Sequence, residues 1–169
     1  MIPKVIHYCW FGGSELPEYV ERCIQSWKKF CPDYQIKRWD ESNYNFEKYP
    51  FCREAYEKKK WAFVSDVARL DIVYSEGGIY LDTDVELIKS LDDLLIEHAF
   101  MGFERGRLVA TGLGFGGEKG NPIIKANLES YLNRQFTNED ETLDLTPCPV
   151  ITTDVLEIFG LKRIDQTQD

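Results

Sequence analysis

The sequence predicts an α/β domain on a mostly parallel sheet flanked by helices. Three observations point there. The first 40 residues read strand-helix-strand, a 16-residue amphipathic segment at 61–76 stops on Gly-Gly before a short apolar strand, and a further helix opens with its own cap near residue 121. Strands alternating with helices favour crossover connections and parallel pairing. A chain of 169 residues holds one real core and is too short for two comfortable ones, so residues 1–169 are expected to form a single domain.

Each element has a local cause. KVIHYCWF (4–11) is a continuous apolar and aromatic run, the pattern of a buried strand, closed by Gly12-Gly13. LPEYVERCIQSWKKF (16–30) sets Tyr19, Cys23, Ile24, Trp27 and Phe30 at helical spacing, with lysines in the last turn. YQIKRW (34–39) alternates and predicts a second strand, and the polar, aromatic stretch 40–60 predicts a loop with one or two short helices. In WAFVSDVARLDIVYSE (61–76) the apolar stripe is Phe63, Val67, Leu70 and Val73 or Tyr74, and Gly77-Gly78 supplies a left-handed stop. IYL (79–81) is then a strand running into Asp82. VELI (85–88) and AFMGF (99–103) are expected as further strands, and RLVATGLGFGG (107–117) as a strand pair or glycine-rich loop. NPIIKANLESYLNRQF (121–136) has an asparagine cap and a proline at the first helical position, and CPVITTDVLEIFGL (148–161) starts the last helix.

Composition narrows the function. A net charge of −9, from 29 acidic and 20 basic residues, argues against nucleic acid or an anionic membrane as a partner held by general attraction. An anionic substrate then needs a local device: a metal ion, an arginine or a helix N-terminus. Five cysteines with no C-x-x-C pair, beside two histidines, fit neither a zinc ribbon nor a disulfide framework. Reduced thiols in a cytoplasmic protein are the expectation. No segment resembles a signal peptide or a membrane span, which leaves only peripheral membrane association open.

The candidate site is GGIYLDTDVEL (77–87). On an extended backbone Tyr80, Asp82 and Asp84 share one face. Residues two apart then lie roughly 6.6 Å from each other, whereas oxygen ligands sit about 2.0–2.6 Å from a hard divalent ion. One aspartate is therefore expected to bind the metal and the other to reach it through water or to contact substrate, unless the chain bends. An EF-hand loop starting at Asp82 fails because Leu87 stands where it needs glycine. An aspartyl-phosphate hydrolase of the haloacid dehalogenase type is a weaker alternative, since its motif follows the first strand and here about 80 residues come before. Asp66 and Arg69, at i,i+3, share a helix face and form either a surface pair or a cleft-facing one. Trp10 ends the first strand, where open α/β sheets gather ligands, and the Gly12-Gly13 behind it permits a close backbone.

Three segments in order, PKVIHYCWFGG (3–13), WAFVSDVARLDIVYSEGG (61–78) and IYLDTDV (79–85), resemble glycosyltransferase family 32, the DXD-containing sugar transferases of yeast mannosylation and bacterial capsular polysaccharide synthesis. More distantly the set resembles the glucosyltransferase domains of large clostridial toxins. The resemblance implies a GT-A fold, with a Rossmann-like mixed sheet. It also implies Mn²⁺ or Mg²⁺, a UDP-sugar or GDP-mannose donor, a glycan acceptor and retention at the anomeric carbon. By position it places Trp10 against the nucleobase and the Cys9 backbone at the base edge, with Ser65, Asp66 and Arg69 on the donor sugar. Tyr80 falls near the phosphates, Asp82 on the ribose and sugar, and Asp84 on the metal, so that Asp66, Arg69, Asp82 and Asp84 carry the catalysis. Glu104 and the glycine-rich run 111–122 are candidates for the acceptor side. The family's closing histidine and Ser-Trp have no counterpart here, and TPCPV (146–150) replaces its Thr-Gly-Pro stretch. The expectation is a chain lacking the family's C-terminal segment, active or binding-competent only.

Overall fold

The computed structural model describes residues 1–104, 106–164 and 166–168. In chain order the elements are β1 (Val5–Cys9), α1 (Glu18–Phe30), β2 (Gln35–Trp39), α2 (Pro50–Glu57), α3 (Trp61–Glu76), β3 (Gly78–Tyr80), β4 (Ala99–Met101), β5 (Phe115–Gly117), α4 (Pro122–Glu129) and α5 (Cys148–Ile158). The sheet order is β2-β1-β3-β5-β4. β1 pairs in parallel with β2 and β3, and β5 runs antiparallel to both β3 and β4. The expected mixed α/β sheet is what forms.

Strand alternation divides the core between the two faces. Ile6, Tyr8, Ile79 and Leu81 pack with Val20, Ile24 and Trp27 of α1. Cys9, Tyr80 and Phe115 point the other way, into a larger cluster built on α2, α3, α4 and α5. α3 spans the residues its spacing predicts, but it is buried nearly all round over Val67–Val73, including Arg69 and Asp71. Asp71 tolerates this because Lys48 Nζ and the Tyr49 hydroxyl donate to it at 2.6 and 2.9 Å.

The Gly77-Gly78 stop is a packing device as well as a helix end. Gly77 has φ 73° and its N–H closes the last turn onto the Val73 carbonyl. At Gly78 (φ 108°) a Cβ would stand 2.8 Å from the Val5 carbonyl and 2.9 Å from His7 Nε2. Only glycine lets β3 start this close to β1.

Two expected elements take a different course. Residues 85–88 form no strand, because α1 consumes the backbone groups a ladder would use. Trp27 Nε1 donates to the Val85 carbonyl at 2.8 Å, and Leu87 N–H donates to Ser26 Oγ at 2.9 Å. α4 keeps its Asn121 cap, whose Oδ1 accepts from the Ile123 and Ile124 amides, but ends at Glu129 instead of 136. The Ser130 hydroxyl bonds back to the Asn127 carbonyl, and the chain turns inward to seat Tyr131 and Phe136 against Phe51. Tyr19, expected on the apolar face of α1, is exposed.

His7, in the middle of β1, has a fixed tautomer. Trp39 Nε1 donates to its Nδ1 at 3.1 Å, so Nε2 carries the proton toward the Gly77 carbonyl at 2.9 Å. Burial pulls its pKa below 6.5, more than the Gly77 bond raises it. The unfolded imidazole therefore takes up a proton before the folded one does. Stability is full above pH 6.5 and is lost as pH falls below it, by at most about 1.4 kcal/mol per pH unit from this group. His7→Gln, which can still accept from Trp39 and donate to Gly77, is expected to flatten the fall in urea midpoint between pH 7.5 and 5.5. A wild-type His7 pKa above 6.5 by NMR would contradict the assignment.

Candidate active site

The chain bends at the aspartate pair. β3 stops at Tyr80, the Asp82 amide donates to the Gly112 carbonyl at 3.3 Å, and the Val85 amide closes a turn onto the Asp82 carbonyl at 3.1 Å. The extended geometry that put Tyr80, Asp82 and Asp84 on one face therefore does not hold. The turn instead brings both Asp82 and Asp84 to the wall of one cleft of about 390 Å³.

Asp66 and Arg69 line the same cleft, so the α3 pair is cleft-facing. Arg69 is 4% exposed. Its Nη2 donates to Asp66 Oδ1 and, at 3.2 Å, to Cys148 Sγ, while Nη1 reaches Asp82 Oδ1 at 3.3 Å. The Tyr80 ring lies beneath the guanidinium, 5.7 Å from its carbon. Burial works against this charge, yet Cys148, Asp82 and Tyr80 hold its pKa above the ordinary arginine value. Its buried Nε has no partner among the described residues.

The remaining predicted residues divide differently. Tyr80 is buried beneath the site, its hydroxyl between the Cys9 thiol and Asp82, and burial drives its pKa well above 10.0. Cys9 is buried too, and its thiol is pushed up by burial, so any part it plays falls to its backbone, where β1 continues two residues past its pairing with β3. Ser65, one residue before Asp66 on α3, is half-buried and does not line the cleft, and neither does Trp10. Trp10 is half-buried just past β1. Its amide donates to the Trp39 carbonyl and its indole N–H to the Ser14 carbonyl, both at 2.9 Å or less. It packs partly against the α1-side core.

Cys148 escaped the sequence argument, and Thr111 and Gly112, inside the run 111–122 named for the acceptor side, take a place beside the aspartate and arginine that it did not give them. Cys148, the first residue of α5, completes the shell of Arg69 from 79 positions away. Gly112 presses its backbone on the carboxylate: a Cβ there would overlap Asp82 Oδ2 and stand 3.3 Å from Arg69 Nη1. Thr111 Oγ1 lies 3.3 Å from Cys148 Sγ. The TGLG glycines were the available signal for Gly112, but nothing in the sequence marks what they face. Glu104, named for the acceptor side, does line the cleft.

The donor set suits a hard divalent cation. Among the described residues no group of three or more His, Cys, Asp or Glu side chains forms an enclosing site. Two carboxylates with water and phosphate oxygens are, however, how Mg²⁺-type sites are commonly built. Burial lifts the pKa of Asp82 above its usual range and the Asp84 charge adds to the rise, while Arg69 and Tyr80 pull it down. An added cation relieves that strain, so the residues present fit one.

Residues 17–101, half of the chain, match the family model described as glycosyltransferase sugar-binding region containing DXD motif. The chain belongs to this family, which sets the phosphohydrolase alternative aside. Among relatives, inositol phosphoceramide mannosyltransferase 3 of Schizosaccharomyces pombe is 35% identical over 122 residues, covering 62% of this chain and 34% of the relative. Inositol phosphoceramide mannosyltransferase 1 of the same yeast is 30% identical over 150 residues, 80% of this chain and 46% of that one. The chain thus spans between about a third and a half of these relatives. In structure it superposes on PaToxG glycosyltransferase with a TM-score of 0.71 at 20% identity, over 94% of this chain and 69% of that one. The fold is that of the GT-A glycosyltransferases.

Removing the cation at the centre tests this arrangement. Arg69→Met leaves Asp66 and Asp82 facing each other unpaired, which is expected to cost about 2–4 kcal/mol of stability at pH 7. Without Arg69 the Asp82 pKa rises further, so the loss should shrink toward pH 5 as the carboxylates take up protons. Urea denaturation at the two pH values measures both. A loss that is the same at each pH would show that packing, not charge, holds the site.

Proposed function

We propose that this domain binds a nucleotide-diphosphate sugar with Mn²⁺ or Mg²⁺ and transfers the sugar, with retention, to a hydroxyl of a glycan acceptor. The observation that carries this is the turn at 82–85, which sets both DXD carboxylates into one cleft with Asp66 and Arg69. The family membership supports the class of reaction. The relatives' names, mannosyltransferases acting on inositol phosphoceramide, favour mannose as the sugar.

In this reading each residue has a separable task. Asp84, exposed at the tip of the turn, and Asp82 behind it hold the cation. A cation bound there would neutralise the diphosphate and stabilise it as a leaving group. Arg69 directs positive charge into the cleft and fixes Asp66 and Asp82, whose remaining oxygens accept hydroxyls of the sugar and ribose. Tyr80 and Cys148 keep the guanidinium from turning. The base stacks on Trp10 at the carboxyl end of β1, outside the 390 Å³ cleft, with the Cys9 backbone at its edge and Ser65 beside the sugar.

Calorimetric titration with UDP-sugars and GDP-mannose, with and without Mn²⁺, measures these assignments. Asp84→Asn is expected to abolish the metal-dependent part of donor binding, at least about tenfold in Kd. An unchanged affinity would remove the central claim. Trp10→Ala should weaken even the free nucleotide, by about 5- to 100-fold if a base stacks on it. A wild-type affinity would return Trp10 to a purely core role.

A further inference from the structure

Beyond the DXD turn and the α3 pair, the cleft has a second wall of different chemistry. It is made by Glu104, Ala110 and Leu113 from one loop region and by Leu145, Pro147 and Pro149 ahead of and within α5. Leu113 and Leu145 are 50% and 55% exposed, high for side chains with nothing polar to offer. The loop holding Glu104 is pinned. Phe103 bridges to Val109, the Glu104 amide donates to the Leu108 carbonyl at 2.8 Å, and the Val109 amide donates to Thr153 Oγ1 of α5 at 2.8 Å. Thr153 in turn donates to the Pro149 carbonyl at 2.6 Å, which ties the backbone of this loop to the first turn of α5.

Charge decides what such a wall accepts. Among the described residues the cleft is lined by four carboxylates, Asp66, Asp82, Asp84 and Glu104, against one cation, Arg69. Arg69 is committed to Asp66 and Asp82. Its Nη1 and Nη2 are thereby taken up, and its buried Nε has no partner among the described residues. A dication and a diphosphate cancel each other, so among the described residues no cation of the cleft is left to offset Glu104 in the loaded state. A carboxylate beside apolar side chains suits an uncharged sugar ring, whose hydroxyls donate and whose C–H face packs on carbon. It disfavours a phosphorylated or acidic sugar by like-charge repulsion.

The geometry points to Glu104, with Leu113 and Leu145, as an acceptor subsite selective for a neutral pyranoside over an anionic one. This rests on the glycosyltransferase reading and adds the acceptor class. Saturation-transfer NMR on the chain loaded with nucleotide and Mg²⁺ tests it, using methyl α-D-mannopyranoside and mannose 6-phosphate as probes. The neutral glycoside should bind at least tenfold more tightly than the phosphate. Glu104→Gln should weaken the neutral glycoside by about 10- to 100-fold, the value of a hydrogen bond to a charged group. It should also bring the two probes within a few-fold of each other.

Nucleotide affinity, measured by calorimetry on the same samples, is the folding control. No binding of the neutral glycoside, equal or tighter binding of the phosphate, or an unmoved ratio in Glu104→Gln would overturn the subsite. A nucleotide affinity that falls as much as the glycoside affinity would also overturn it, by placing Glu104 at the donor. A wild type that binds no nucleotide at all would instead sink the glycosyltransferase reading, and the two failures are told apart in one set of samples.

Discussion

A guanidinium taken out of water must be surrounded by acceptors, and the architecture around Arg69 meets that demand. Asp66 comes from the preceding turn of α3, Asp82 from the segment after β3, and Cys148 from the start of α5. These three pieces of chain meet at one side chain. Removing one partner strands a charge, whereas the assembled group is held rigid, and rigidity is what a site that must present fixed charge to a substrate requires. The C-terminal helix is thus part of the site, although it contributes no carboxylate to it.

Backbone geometry carries as much of the site as side-chain chemistry does. Gly78 lets β3 lie against Val5 and His7, which sets where the strand ends and the turn begins. Gly112 allows a neighbouring loop to touch the first aspartate, giving Asp82 a carbonyl for its amide and a close wall for its carboxylate. Both glycines are there for clearance. At Gly112 the chain has no unusual φ, so it is proximity to Asp82 and Arg69 that excludes a side chain.

Local signals in the sequence were legible where local physics decides. α3 and its Gly-Gly stop, the Asn121 cap and the first two strands follow from periodicity and capping. Helical spacing puts Asp66 and Arg69 on one face and the D-x-D pattern marks Asp82 and Asp84, and all four line one cleft. Long-range contacts misled the rest. Val85 and Leu87 have the composition of a strand, but Trp27 and Ser26 on α1 take up their backbone groups. Asp71 sits in a helix that periodicity allows to be half polar, and three side chains from the 44–49 segment bury it. The bend at Asp82 depends on Gly112, thirty residues on, and so no reading of IYLDTDV alone could show it.

The clasp between α1 and the segment after the aspartates reaches further than the fold. Trp27 is fully buried, and its indole N–H ends on Val85, the residue next to Asp84. Any event that tightens or loosens the turn must lengthen, shorten or tilt that bond. The chain therefore carries a native reporter: an indole proton shielded from solvent, one residue from the carboxylate of interest, whose resonance needs no added label. The other tryptophans that donate an indole N–H do so elsewhere, Trp39 to His7 and Trp10 to the Ser14 carbonyl, so the signal that moves with the turn is that of Trp27. A change in the turn can then be followed at that one proton.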